Sequence, residues 1–244
     1  MRTAIISDIH SNLEALSAVL YDIETLNIDE VICIGDVIGY GPNPNECINL
    51  VSKKCPDILL GNHDAAALDT LSTQNFNINA KRAIEWTNEQ LTPDSRSFIE
   101  GLPMVKINGE KTFVHSTPYE PKMWYYITSV EEAAFNFQFF NTKFCFVGHT
   151  HIPITISIDK NLNINVSQEE FIDFDKDDDT HYLINVGSVG QPRDRNPKAS
   201  YGVLDMEANT FTIRRVEYDI EKCQQKMRKY KLPEFLVTRL SEGK

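Results

Sequence analysis

The chain has few glycines for its length, 11 in 244 residues, two tryptophans, five cysteines, and only 24 Lys and Arg against 35 Asp and Glu. Each shortage removes a class of explanation. A net charge of −11 opposes nonspecific attraction to nucleic-acid phosphates or to an anionic membrane face, so nonspecific nucleic-acid binding is not expected. No run of about 18 apolar residues offers a membrane span. Met1-Arg2-Thr3-Ala4-Ile5-Ile6 meets Ser7-Asp8 too soon for the apolar region of a signal peptide. The expectation is a cytoplasmic protein with no membrane partner. Cys33, Cys47, Cys55, Cys145 and Cys223 are odd in number and form no C-x-x-C pair, so neither a zinc ribbon nor a disulfide framework is suggested. They read as small buried apolar side chains. With 41% hydrophobic residues the chain can bury a full core, and without an internal repeat or linker the economical reading is one domain over residues 1–244.

In the first half, β-branched runs alternate with amphipathic stretches, the pattern of an α/β sheet. Thr3 to Ile6 predicts a buried strand. Ser11 and Glu14 have the spacing of a capping box before a helix whose Leu13, Leu16, Val19, Leu20 and Ile23 share one face. Val31 to Ile34 and Ile58 to Leu60 predict two more strands, with a helix between them after Pro42 and Pro44. Helices are expected around Ala65 to Leu71, Asn79 to Leu91 and on to about Glu100. Val105 to Ile107 and Thr112 to Val114 flank a hairpin dipeptide, Asn108-Gly109. Val130 to Phe140 reads as helix and Phe144 to Val147 as buried strand. The runs Ile154 to Ile158, Leu162 to Val166, His181 to Val186, Tyr201 to Asp205 and Phe211 to Val216 look like an antiparallel sheet. A helix bearing Ile220, Cys223, Met227 and Tyr230 is expected to end before Pro233. Between Glu169 and Asp179, Asp173, Asp175 and Asp177 imitate the opening of a calcium loop. Asp178 stands where that loop needs Gly, however, and Ile184 where it needs Glu, so a solvated loop is expected.

Chemistry concentrates at strand ends. Five of the six histidines lie in polar clusters directly after apolar strands: D8-I-H10, G61-N-H63-D64, V114-H115-S116 and G148-H149-T-H151. Asp36 follows another strand in G35-D36. In a parallel α/β sheet, side chains just beyond the carboxyl ends of strands converge on one crevice, because each crossover returns the chain to the same edge. Asp8 and His10, two apart on what reads as extended backbone, can point the same way, and His149 and His151 repeat that spacing. Two carboxylates, an amide oxygen and four imidazoles, without a thiolate, suit a pair of borderline or hard divalent ions: Mn²⁺, Fe²⁺ or Zn²⁺, with Ni²⁺ and Mg²⁺ also admitted. Taken singly, each Asp could be a cap and each His a satisfied core residue; it is their joint placement that argues for a site.

In this order, D-x-H, G-D, G-N-H-D, an isolated His and G-H-x-H resemble the motifs of the calcineurin-like metallophosphoesterase family. The segment N185-V-G-S-V-G-Q-P-R193-D is similar to its small bacterial and archaeal phosphodiesterase-like branch. The resemblance implies a four-layer α/β/β/α sandwich of two mixed sheets flanked by helices, where the residue patterns alone establish mixed α/β. It also implies two divalent metal ions. Asp8, His10, Asp36 and His151 would hold one, and Asp36, Asn62, His115 and His149 the other, with Asp36 bridging and a metal-bridging hydroxide as nucleophile. His63 is then the general acid, Asp64 a candidate to orient it, and Asn62 also a substrate contact. The expected activity is that of a metal-dependent phosphoric ester hydrolase, most simply a phosphodiesterase acting on a small phosphoester or nucleotide. Alternatives are a phosphomonoesterase, a protein serine/threonine phosphatase, or a non-catalytic metal-binding scaffold like the retromer subunit similar to this family. Protein phosphatases of the superfamily carry G-D-x-V-D-R-G, whereas here the stretch is G35-D-V-I-G39-Y40-G41, without the phosphate-gripping Arg.

Some candidates remain two-sided. Gly187, Ser188 and Gly190 could line a phosphate site with their N–H groups, with Arg193 or Arg195 on an oxygen; equally, they form a plain turn whose arginines pair with the acidic surface. Trp124, Tyr125 and Tyr126 could wall a substrate's leaving group, although packing is the commoner fate of such residues. Phe135, Phe137, Phe139 and Phe140 read as packing, with a subunit contact and hence a homo-oligomer allowed. His181 has no motif around it and reads as structural.

Overall fold

The computed structural model describes residues 1–174 and 179–244. Strand β1 (Arg2–Ile6) leads through Asn12 into helix α1 (Leu13–Glu24), and β2 (Glu30–Cys33) into α2 (Pro44–Lys54). After β3 (Asp57–Ile58) come α3 (Asn62–Ala67), α4 (Ile78–Gln90) and α5 (Pro93–Glu100). Strands β4 (Val105–Asn108) and β5 (Lys111–Val114) form a hairpin, followed by α6 (Val130–Asn136) and β6 (Phe144–Val147). The remainder comprises β7 (Ile154–Ile158), β8 (Ile164–Ser167), β9 (Phe171–Asp173), β10 (His181–Asn185), β11 (Ala199–Asp205) and β12 (Thr210–Val216). Helices α7 (Ile220–Lys229) and α8 (Glu234–Glu242) follow. No helix among the described residues is long and apolar enough to cross a membrane.

Two six-stranded mixed sheets result, ordered β3-β2-β1-β11-β12-β9 and β4-β5-β6-β10-β7-β8. The strand period of two sorts the core into layers. Ile5 of β1, Phe144 and Phe146 of β6, Ile184 of β10 and Phe211 of β12 point between the sheets, where Phe113 and Phe146 stack at 5.3 Å. Truncating a ring in such a seam typically costs about 3–5 kcal/mol, so these aromatics are a main reason the sheets stay face to face. The alternate residues, Ala4 and Ile6, face the Ala15, Leu16, Val19 and Ile23 stripe of α1. On the second sheet, Cys145, Val147 and Leu183 meet Ala133 of α6 and Phe140. Helices thus cover both outer faces, giving the expected two mixed sheets flanked by helices. All five cysteines are buried and free.

Several expectations are corrected. The α1 cap is Asn12, whose Oδ1 accepts from Ala15 N at 3.1 Å; Glu14 is drawn away to Lys226 Nζ at 2.6 Å, so no capping box with Ser11 forms. In the β4–β5 hairpin the two loop residues are Gly109 and Glu110, one later than the dipeptide suggested. Gly109 supplies the positive φ of +58°. The later strands do not make one antiparallel sheet. β11 and β12 join β1, while β7, β8 and β10 join β6, because parallel pairing of β10 with β6 and antiparallel pairing of β11 with β1 are long-range choices. Phe171–Asp173 of the acidic segment is a strand on β12 rather than loop. Asp175 and Asp177 of the imitation calcium loop lie outside the described residues. The helix bearing Ile220 ends at Lys229, before Pro233 as expected, but a further helix follows, with Pro233 at the N-terminus of α8, where its fixed φ is tolerated. Leu236, Val237 and Leu240 of α8 then pack with Cys223, Met227 and Tyr40.

Candidate metal centre

Parallel pairing of β1 with β2, β2 with β3, β5 with β6 and β6 with β10 brings their carboxyl ends to one edge of the sandwich. Asp8, Asp36, Asn62, His115 and His149 each follow one of these strands within a few residues, and all are buried there with His10, His63 and His151. The backbone that carries them is not extended, as the sequence suggested, but left-handed. Asp8, His10, Asp36, His149 and His151 have φ of 54°, 50°, 51°, 66° and 63°. Non-glycine residues adopt this region at a cost of roughly 1 kcal/mol or more, and such strain gathers at functional sites. Here it turns each pair of side chains, two residues apart, toward the same point.

Hydrogen bonds hold the ligand loops. Asp8 Oδ2 accepts from Ser7 Oγ at 2.6 Å and His149 N at 3.0 Å, leaving Oδ1 to face His151 Nε2 at 3.1 Å and His10 Nε2 at 3.7 Å. Asp36 Oδ1 accepts from His63 N at 2.8 Å, which ties the second strand's loop to the third. The glycine before Asn62 makes this approach possible: a Cβ on Gly61 would lie 2.1 Å from Asp36 Oδ1 and 2.2 Å from Asp36 N.

The imidazoles are oriented from behind. Nδ1 of His10, His115 and His151 lies 3.2, 3.0 and 2.6 Å from the carbonyls of Ile38, Ile34 and Gln191, so each Nδ1–H donates outward and each Nε2 faces the cluster. His149 is reversed: its Nε2 donates to the Trp124 carbonyl at 3.1 Å, which leaves Nδ1 inward. Among the described residues three groups of donor atoms form, each with its atoms within 4.8 Å of one another: Asp8 with His10 and His151, Asp36 with His115 and His149, and a third in which Asp36 joins His10 and His63. Asn62 Oδ1, 3.2 Å from His115 Nε2, belongs with the second. Asp36 Oδ2 stands between the groups, 3.6 Å from His10 Nε2 and 3.3 Å from His115 Nε2.

These donors fit metal ions. Asp36 Oδ2 is buried with no hydrogen-bond partner, and the Nε2 atoms of His10 and His151 face each other at 3.0 Å although both rings already donate through Nδ1. Opposed lone pairs beside a carboxylate oxygen that lacks a hydrogen bond are stabilised by a shared cation. Neighbouring donors on an ion bound at about 2.0–2.2 Å stand roughly 3 Å apart. The oxygen and imidazole set suits Mn²⁺, Fe²⁺ or Zn²⁺.

Charge follows the same geometry. Burial holds His10 well down and lowers His151 against the pull of Asp8, with Arg193 adding repulsion at both, and burial takes His149 to about 3, so these rings favour the neutral form a ligand needs. Burial would lower His115 too, but Asp36, with Asp8 and Asp64 behind it, pushes it up to about 9. The metal-free protein therefore carries a proton on His115 below about pH 9, and an entering metal must displace it. Metal affinity should consequently rise with pH up to about 9, by about tenfold per unit from this one group. Calorimetric Mn²⁺ titrations at pH 8 in Tris and in HEPES should differ by the buffers' ionisation enthalpies for about one proton released; equal enthalpies in both would contradict this.

Other candidates fall unevenly. His63 sits beside the ligands, 4.8 Å ring to ring from His10, with Nδ1 buried and unpartnered. Burial, helped by Arg193 and opposed by Asp36, takes it down to about 4, so it is neutral in the free protein. Asp64 does not touch it. Its oxygens accept from Ile38 N at 3.0 Å and Gly61 N at 2.9 Å, so the carboxylate stitches two ligand loops together rather than orienting His63. Its burial beside Asp36 raises it to about 7. Arg193 approaches the centre through Tyr40, with Nη2 3.4 Å from the Tyr40 hydroxyl and 3.2 Å from Gln191 Oε1. It also lines, together with Arg195, Glu169, Glu170 and Arg215, a separate cavity. Of the loop's N–H groups, that of Gly187 is spent on Asn185 Oδ1 and that of Gly190 on Asp8 O, while Val189 and Gln191 donate to Ser7 O and Ser188 Oγ, so this loop buttresses the Asp8 strand end. His181 is remote from the centre, and its Nδ1–H donates to the Thr142 carbonyl at 2.9 Å.

Three contributions were not anticipated. Tyr40, between two glycines at φ 47°, inserts its ring 4.6 Å from His10 and 4.4 Å from His63. Its place in G39-Y40-G41 was visible, but only as the lack of an Arg. Gln191 and Trp124 act through backbone carbonyls, which no side-chain pattern signals. The wall that the sequence allowed for this segment is formed by Trp124 and Tyr126, which line the cavity over the centre, Tyr126 stacking on His149 at 4.0 Å while half exposed, whereas Tyr125 stacks on Tyr119.

The comparisons agree with this geometry. Residues 1–209 match the model of the calcineurin-like phosphoesterase superfamily domain. An uncharacterized protein of Methanocaldococcus jannaschii is 42% identical over 99% of this chain and 98% of its own. The crystal structure of a metallophosphoesterase from Sphaerobacter thermophilus shares 42% identity, covers 100% of this chain and 99% of that one, and superposes with a TM-score of 0.87. A hypothetical protein from Pyrococcus horikoshii OT3, 20% identical, has the same fold over 100% and 98% of the two chains, with a TM-score of 0.79. On its motifs, its fold and these matches, the chain belongs to the calcineurin-like phosphoesterase superfamily.

Proposed function

We propose that the protein is a two-metal phosphoesterase of the phosphodiesterase type, hydrolysing a small phosphoester or nucleotide as one domain. The observation that carries this reading is Asp36 Oδ2, unbonded and poised between two ligand groups. When bound, two divalent ions supply Lewis acidity toward phosphoryl oxygens and a water of lowered pKa. The chain's own residues do the rest. Nδ1–H bonds to Ile34, Ile38 and Gln191 fix three imidazoles in the ligand tautomer. The Asn62 amide, which lines the cavity, would contact the phosphoryl group of a bound ester, and Arg193, behind Tyr40 with its Nε buried and without a partner, would add positive charge to the same side. His63 faces the cavity over the metal ligands and is neutral until an anion arrives. A bound phosphate ester raises its pKa, and the imidazolium then gives its proton to the departing oxygen. The lack of an Arg at Gly39-Tyr40 supports a small ester over a phosphoprotein.

Metal analysis and an ester screen test the reading together. About two Mn²⁺ per chain and turnover of an aryl phosphodiester in excess of an aryl phosphomonoester are expected. Protein loaded with two metals that cleaves neither ester would sink it and favour a scaffold.

His63→Ala should leave metal content unchanged. It should slow esters with poor leaving groups by about 10²- to 10⁴-fold, and those with p-nitrophenolate far less. Equal slowing of both would remove His63 as the acid.

A further inference from the structure

The metal centre opens into a cavity of about 400 Å³, small within the range of about 300–1,000 Å³ usual for ligand sites. Asn62, His63 and His149 form its floor. One wall comes from the segment between α3 and α4, with Leu71 and Phe76; the other comes from the segment after β5, with Trp124 and Tyr126. Apart from the two floor imidazoles, no Asp, Glu, Lys, Arg or His among the described residues lines it, although 24% of the chain is Asp, Glu, Lys or Arg. An anionic or cationic leaving group would have no partner there. Both walls carry aromatic rings, and those rings are built into the site. Phe76 lies 5.3 Å from the His63 ring, and the Trp124 carbonyl holds His149. Asn75 adds an exposed side-chain amide at the rim.

Resting on the phosphoesterase reading, we infer that this cavity takes an uncharged nucleoside as the leaving group, its base lying against the rings of Phe76 and Trp124. The size admits one nucleoside and not two. The walls favour a flat ring system with a polar edge over an alkyl chain, a sugar alone or a peptide. In the step itself the oxygen of water bonds to phosphorus as the P–O bond to the nucleoside breaks. The leaving oxygen takes up a proton, so the products are a phosphate and the nucleoside.

Binding to the Mn²⁺-loaded protein, followed by calorimetry, separates this inference from catalysis. AMP and ribose 5-phosphate carry the same phosphate and sugar and differ in the base. AMP should bind about tenfold more tightly, the worth of one base on an aromatic platform. Phe76→Leu, which keeps apolar bulk without a ring, and Trp124→Ala should each shrink that ratio severalfold with metal content unchanged, whereas Phe76→Tyr should preserve it. Equal affinity of the wild type for the two ligands, or an undiminished ratio in both ring-deleting variants, would overturn the inference. The phosphoesterase reading would survive if the aryl diester is still cleaved. Conversely, a base-dependent ratio in a protein that cleaves no ester would keep the nucleoside site and remove the hydrolase.

Discussion

Asp36→Asn is expected to empty both metal positions and to reduce turnover below about one-thousandth of the wild-type rate. Its carboxylate is fully buried, one oxygen held by His63 N and the other facing His10 and His115 without a hydrogen bond. An amide keeps the shape and the first contact but removes the charge shared by the two groups. It also sets a donor or a neutral oxygen against two imidazole nitrogens. His115, relieved of the neighbour that most raises it, falls back from about 9, so the variant also loses its proton release on exposure to metal. A second readout is thermal. A ligand present at about 100 times its Kd stabilises by about 2.7 kcal/mol, which for a chain of this size raises Tm by roughly 5–10 °C. That Mn²⁺-dependent rise should vanish in Asp36→Asn. Wild-type metal content, or a full rise in Tm, would refute the bridging role.

The ligand set was legible because its logic is topological. Asp8, Asp36, Asn62, His115 and His149 each follow an apolar strand, and parallel pairing sends those ends to one edge whatever lies between. The local details were not legible for three different reasons. Backbone conformation at Asp8, His10, His149 and His151 is imposed by the loops they must bridge, so an alternating pattern that reads as extended turns out left-handed. Asp64 neighbours His63 in sequence, yet α3 begins between Gly61 and His63 and directs the carboxylate back to the Gly61 and Ile38 N–H groups. Contributions made by carbonyls, those of Ile34, Ile38, Trp124 and Gln191, leave no trace in residue identity. In the fold, the residue pattern located the strands of the second half other than β9, but not their partners. Alternation reports which face is buried and is silent on which strand lies alongside.

Gly61→Ala should inactivate the centre without altering a single ligand. At this position φ is −103°, open to any residue, so the demand for glycine is steric and not conformational. The added methyl would meet Asp36 at Oδ1 and at its backbone N, both well inside contact distance. The backbone cannot step aside cheaply, because Gly61 N is held by Asp64 and Asp36 Oδ1 by His63 N. Relief must come from pushing Asp36 out of its place between the two ligand groups. Overpacking of this kind costs about 1–3 kcal/mol, or roughly 2–12 °C in Tm for a chain of this length, and the displaced carboxylate should leave less than half the wild-type metal bound. Gly109→Ala is the matched control. It adds the same methyl where φ is +58° and no atom lies within 4 Å. Left-handed strain of about 1–2 kcal/mol should lower its Tm while metal content and turnover stay at wild-type values. If the two variants lost metal equally, the effect at Gly61 would be general destabilisation, and the close packing of Gly61 on Asp36 would not be what positions the bridging carboxylate.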